Sequence, residues 1–108
     1  MSFTPPESVA AAAKRALAWI AEGKAGSGFT IVGKLRANQL ANREPVSEES
    51  VRRMRAYFSR HEVDKKATGF SQGEAGFPSA GRVAWDAWGG DAGQTWVNNL
   101  QLTTDKKN

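Results

Sequence analysis

The sequence predicts a small all-α domain: four or five short helices around a Trp-rich core, with one long glycine-containing loop. Three observations carry this. Where apolar residues recur periodically, they do so at helical rather than alternating spacing. Helix-starting Pro and Ser and helix-stopping Gly and Pro bracket those stretches. Leu, Ile, Val and Phe total only 19 of 108 residues, while four Trp and many Ala supply large rings to pack on small helix formers.

The elements follow in chain order. "PPESVAAAAKRALAWIAEGKAG" reads as the first helix: Pro6 and Glu7 suit its start, Ala13, Leu17 and Ile20 recur at helical spacing, and Gly23 stops it. "GKAGSG" is a loop. "FTIVGKLRANQLANREP" is a second, weaker helix. Neither Val32, Leu35 and Gln39 nor Ile31, Leu35 and Ala41 make one clean stripe, and Gly33 costs about 1 kcal/mol in a helix interior. Pro45 ends it. Ser47 is then a good N-cap, with Glu48 and Glu49 in the first turn. Val51, Met54 and Phe58 fall at i, i+3 and i+7 on one apolar face, flanked by Tyr57 and His61. "EVDKKATGFSQGEAGFPSAG" is the long loop, with Phe70 and Phe77 to pin it. "SAGRVAWDAWGGDAGQTWVNNLQL" reads as two short helices, the first capped by Ser79 and ended by Gly89-Gly90. Asp91 caps the second, where Trp96 and Leu100 share a face. The chain suits one domain, residues 1–108, with 103–108 as a flexible tail.

Composition narrows the function. There is no cysteine, which excludes disulfides, thiol nucleophiles and Cys-ligated metal sites. No stretch is long and apolar enough to span a bilayer, and the first residues lack a basic n-region. A soluble, cytoplasmic-type protein with no membrane partner is expected. The single His has no obvious Ser partner, no nucleophile elbow occurs, and "GKAGSG" lacks Walker spacing, so no enzyme is expected. "RHEVD" brings His61, Glu62 and Asp64 together, and Asp86 or Asp91 could join them. One His with scattered carboxylates is a thin set of ligands, and neither a metal nor another cofactor is expected.

Charge points to a binding role. Residues 34–66 hold nine basic and five acidic residues, while the rest of the chain holds six of each. All of the net +4 therefore lies in the middle third, and a localised excess speaks to a partner. Arg52, Arg53, Arg55 and Arg60, with Lys65 and Lys66, are the candidate contacts to nucleic-acid phosphates. The plainer reading is a solvated face in which Glu48–Arg52 and Glu49–Arg53 form i,i+4 pairs. Arg55 and Arg60 have no carboxylate at i−4 and are expected to be exposed.

The stretch "RANQLANREPVSEESVRRMRAYF" has the outline of a helix-turn-helix joined by Arg43 to Val46. Glu48 and Glu49 at the start of the second helix would repel phosphates and argue against major-groove docking. "WDAWGGDAG" could be a platform for bases, but a chain this poor in Leu needs Trp85, Trp88 and Trp96 inside. Asp86 and Asp91 are then candidates to pair arginines or cap helices.

"ALAWIAEGKAGSG", "RANQLANREPVSEESVRRMRAYFSRHEVDKK", "GFPSAGRVAWDAWGGDAG" and Trp96 together resemble a small domain of bacteriophage and prophage proteins. That domain occurs alone or attached to head-morphogenesis proteins such as prohead proteases. The resemblance covers most of Ala16 to Trp96 and is most specific over Arg52 to Lys66 and Pro78 to Gly93. It carries over no catalytic residue. It implies a phage origin and a stand-alone accessory or virion-associated protein, working in the cytoplasm of the infected host cell. The expected function is non-enzymatic nucleic-acid binding through phosphate contacts on the basic helix. The alternative is a protein-interaction module, in head assembly or against a host factor, that recognises an acidic protein surface.

Overall fold

The computed structural model describes residues 1–26 and 29–105. The expected all-α architecture is present, with five α-helices among the described residues and one pair of two-residue strands. Helix α1 (Glu7–Ala21) starts behind Pro6, whose missing N–H costs nothing at that position. Gly23 ends it in the left-handed region at φ 79°. The inner face of α1 is nearly all alanine, with Ala10, Ala12, Ala13 and Ala16 buried beside Val9. Such a face lets another helix come close. The partner is α2 (Ile31–Ala41), whose buried residues are equally small apart from one: Gly33, Ala37, Leu40 and Ala41. Thr30 caps α2, its Oγ1 accepting from the Gly33 N–H at 3.2 Å.

The chain then turns through Arg43, a non-glycine residue at φ 54°. Strand β2 (Val46–Ser47) pairs antiparallel with β1 (Ser2–Phe3), setting Phe3 opposite Val46. The connection is thus residues 42–47 and includes a strand tied to the N-terminus. It is not the four-residue turn that a helix-turn-helix outline implied. Helix α3 (Glu48–His61) begins at Ser47, whose Oγ accepts from the Ser50 N–H at 3.1 Å. It buries Val51, Met54, Tyr57 and Phe58, the face its spacing predicts.

Glu62–Lys66 continue as a 3₁₀ turn. The loop that follows is fastened by Arg82, which donates Nη1–H to the Phe70 carbonyl at 2.7 Å. The Arg82 guanidinium also lies over the rings of Trp19, Phe70 and Phe77. Helix α4 (Ala80–Ala87) is capped by Ser79 as expected. Helix α5 (Gly90–Asn99) is not capped by Asp91. Gly89, at φ 117°, is its N-cap, and the Asp91 carboxylate instead accepts from Trp85 Nε1 at 2.9 Å and pairs with Lys65 at 3.0 Å.

Of the tryptophans, Trp85 is the core residue, edge-on to Phe58 at 4.9 Å and to Phe70 at 5.9 Å. Trp88 and Trp96, also expected inside, are only half-buried. Asp86 is 1% exposed and held between Arg15 at 2.8 Å and Arg82 at 3.3 Å. A charge this buried requires such partners. Thr103–Asp105, expected to be part of a flexible tail, form a 3₁₀ turn behind the buried Leu102. Residues 106–108 lie outside the described residues. No helix among the described residues is long and apolar enough to cross a membrane.

Candidate functional site

The six cations expected to form one phosphate surface are divided by the fold. Arg52 and Arg53 pair with Glu48 at 3.2 Å and Glu49 at 2.9 Å, as i,i+4 spacing dictates. Arg55 is neither unpaired nor fully exposed, which corrects the expectation. Its Nε donates to the Val97 carbonyl at 2.8 Å and its Nη2 to the Leu100 carbonyl at 2.9 Å. Both terminal nitrogens then fork onto Asp105, at 3.0 and 3.1 Å. Absence of a carboxylate at i−4 says nothing about one arriving from 50 residues away. Lys65 is engaged by Asp91, with its ammonium over the Trp85 ring at 5.2 Å. Arg60 and Lys66 are exposed and have no ion-pair partner among the described residues.

At about 100° per residue, Arg53 and Arg60 share one flank of α3 while Arg52 and Arg55 share the other. The Arg53 and Arg60 flank borders a cleft. Its walls are α2 and α3, which pack mainly on other helices, α2 on α1 and α4, and α3 on α5. Its floor is Trp88, where α4 ends. From the α3 wall, Tyr57 stacks on Trp88 with ring centroids 4.6 Å apart and planes 6° from parallel. From the α2 wall, the Arg36 guanidinium lies over the same ring at 5.4 Å. His61 stacks on Tyr57 at 4.4 Å, and its Nδ1 is held by Asp64 Oδ2 at 3.1 Å. At the α3 end the cleft deepens into a pocket of about 450 Å³, walled partly by Phe29, Thr30, Gly33, Arg60, His61 and Asp64.

Two buried polar atoms have no hydrogen-bond partner among the described residues, Arg36 Nε and Tyr57 Oη. They come from opposite walls, and both belong to side chains resting on Trp88. A buried group left unpaired costs about 1–3 kcal/mol, so each of these two atoms calls for a physical reason. Burial, then the carboxylates of Asp64 and Asp86, push the Tyr57 hydroxyl far above its ordinary pKa, against an opposing effect of Arg60. Burial, then the charge of Arg53, lower the Arg36 guanidinium, which still stays protonated at neutral pH. The influence of Arg53 on Arg36 means that the two walls carry like charges toward each other. No Asp or Glu occurs in α2 to offset them.

The site offers guanidinium donors for an anion, aromatic surface for an apolar or planar group, and Thr30, His61 and Asp64 for hydrogen bonds. Of the carboxylates that could join His61, Glu62 and Asp64, Asp86 is held by two arginines and Asp91 by Lys65 and Trp85, while Asp64 bonds His61 itself. Beside the cleft, Ile31, Val32 and Leu35 of α2 are 74%, 54% and 64% exposed. Sequence reasoning found Arg53 and Arg60 but missed Arg36 and Phe29. The available signal for Arg36 was that α2 holds cations and no acid. Comparison with protein-family models, with curated proteins and with solved structures finds no match to the chain.

Proposed function

We propose that the protein is a small, non-enzymatic phage protein that binds nucleic acid by its phosphates, along the α2–α3 cleft rather than across the whole basic helix. The observation that carries this reading is the convergence of Arg36, Arg53 and Arg60, from two helices, on one aromatic-floored cleft. Arg60 has no ion-pair partner to give up among the described residues. Among the described residues Arg53 is held by an exposed pair with Glu49, and exposed pairs contribute roughly 0–1 kcal/mol, so a phosphate can replace it. Lys66, exposed just beyond α3, extends the same charge. The bacteriophage resemblance supplies the setting, the infected-cell cytoplasm or the assembling particle.

Titration with generic DNA at two salt concentrations tests this. Affinity should fall steeply with salt. Arg60→Ala should weaken binding and shallow the slope of log affinity against log salt by roughly one unit, whereas Arg52→Ala, on the other flank, should change neither much. DNA binding that is absent at low salt, or equally sensitive to both substitutions, would remove the cleft as the phosphate surface.

A second reading, a protein-interaction module, is favoured by one observation, the exposed row Ile31, Val32 and Leu35. Phosphates gain nothing from aliphatic side chains, and such residues serve protein interfaces. It predicts a captured partner whose binding is lost with Leu35→Asp and tolerates salt.

A further inference from the structure

We propose that the pocket at the end of the cleft receives an unstacked nucleobase, so that the ligand is a single strand of nucleic acid rather than a duplex. This rests on the phosphate-binding reading above and adds the strand state to it. Four features of the pocket argue for it. Its volume of about 450 Å³ lies in the range of sites that enclose small planar ligands. It is roomy because small residues line it: Gly33, Ala80, Gly81 and Ala84 leave unfilled what larger side chains would close. Its aromatic lining is Phe29, Tyr57 and Trp88; Tyr57 is already stacked against Trp88 and His61, which leaves Phe29 and Trp88 for a base, and bases associate with aromatic side chains whatever their identity. Its polar lining holds both donors and acceptors, the mixture a base edge needs, with Arg60 also available to the adjoining phosphate.

The unmet hydrogen bond of Tyr57 is a separate pointer. Tyr57 lines the pocket and is 6% exposed, yet its hydroxyl bonds to nothing among the described residues. The ring contacts of Tyr57 do not account for the hydroxyl. The aromatic stack with Trp88 and His61 needs only the ring, and Phe would supply it. A base in a duplex keeps its edges paired and its faces stacked, so it cannot enter such a pocket without being extruded. A single strand presents bases already free, and the cleft charges on Arg36, Arg53 and Arg60 can follow its backbone.

The test compares three probes of equal phosphate count: an oligo(dT) strand, a duplex, and an abasic strand of sugar and phosphate alone. Wild-type protein should bind oligo(dT) roughly tenfold or more tightly than either of the others at one salt concentration. Gly81→Leu should fill the pocket, because a side chain leaving that position meets only ordinary contacts with Asp64, at 3.6 Å and beyond. It should lower oligo(dT) affinity to the duplex level and leave duplex affinity unchanged. Equal binding of all three probes, or preference for the duplex, overturns the base pocket while the phosphate reading stands. Failure of every probe to bind at low salt overturns both. The abasic strand needs no variant, so the outcome does not depend on Gly81→Leu folding.

Discussion

At Arg55 a single guanidinium fastens the end of α5, donating to the Val97 carbonyl in its last turns and to the Leu100 carbonyl that follows it, and forking onto Asp105. Its side chain is 25% exposed, so these bonds are only partly screened. Hydrogen bonds from charged groups contribute about 1.5–3 kcal/mol each, less than additively. Arg55→Ala should therefore destabilise by roughly 2–3 kcal/mol in urea unfolding. Arg55→Lys should recover little, because an ammonium cannot reproduce the planar fork. Arg60→Ala, five positions on, should change stability by no more than about 0.5 kcal/mol. Equal, small effects at both positions would mean that the Arg55 network is not formed. The contrast also shows where residue-level reading of the sequence stops. The i,i+4 pairs of Arg52 and Arg53 were legible because both partners lie on one helix. The partners of Arg55 lie 42 to 50 residues away, and no local spacing reports them.

At the scale of elements, α1, α3 and α4 carry their own instructions: Pro6 or a Ser cap at the start, and for α3 an apolar face at helical spacing. Helix α2 does not. Its large aliphatic residues, Ile31, Val32 and Leu35, face outward, and its inner face is Gly33, Ala37, Leu40 and Ala41. Hydrophobic spacing searches for large residues inside and so finds no clean stripe. What decides the orientation is the alanine face of α1, which accepts only a thin partner. This inversion predicts opposite outcomes at two positions. Ala37→Leu should cost about 1–3 kcal/mol by overpacking the α1–α2 contact. Leu35→Ser should stay within about 0.5 kcal/mol. Comparable losses in urea unfolding at both positions would place Leu35 inside and reverse the face assignment. The same inversion hid half of the candidate site. The α3 wall could be read from its arginines, but the α2 wall depends on which way that helix faces.

For the whole molecule, the fold sorts a uniform-looking basic segment into internal ties and a free remainder. Lys65 is among the ties, joining the 3₁₀ turn after α3 to Asp91 at the start of α5. Burial opposes ionisation of Asp91, but hydrogen bonds from Lys65 and Trp85, and the charges of Lys65 and Arg82, outweigh it and hold the carboxyl below its ordinary 3.8. A carboxyl depressed on folding stabilises the protein at pH above its unfolded pKa, and that contribution is lost as pH falls through the folded pKa. Asp91→Asn should thus lower the urea midpoint by a constant amount between about pH 7 and pH 5, and the gap should close as pH drops below 3.8. A gap that widens in acid would reverse the sign of the shift.

Arg60 lines the pocket of the α2–α3 cleft, the surface proposed to bind, and chemical-shift mapping observes that surface residue by residue. ¹⁵N-labelled protein titrated with oligo(dT) at low salt should shift the amides of Phe29, Thr30, Gly33, Arg60 and His61, together with the Trp88 indole N–H. The amides around Arg52, and the Trp85 indole bonded to Asp91, should stay in place. Shifts centred instead on Arg52 and the C-terminal turn, or on the outward row of Ile31 and Leu35 alone, would contradict binding in the cleft.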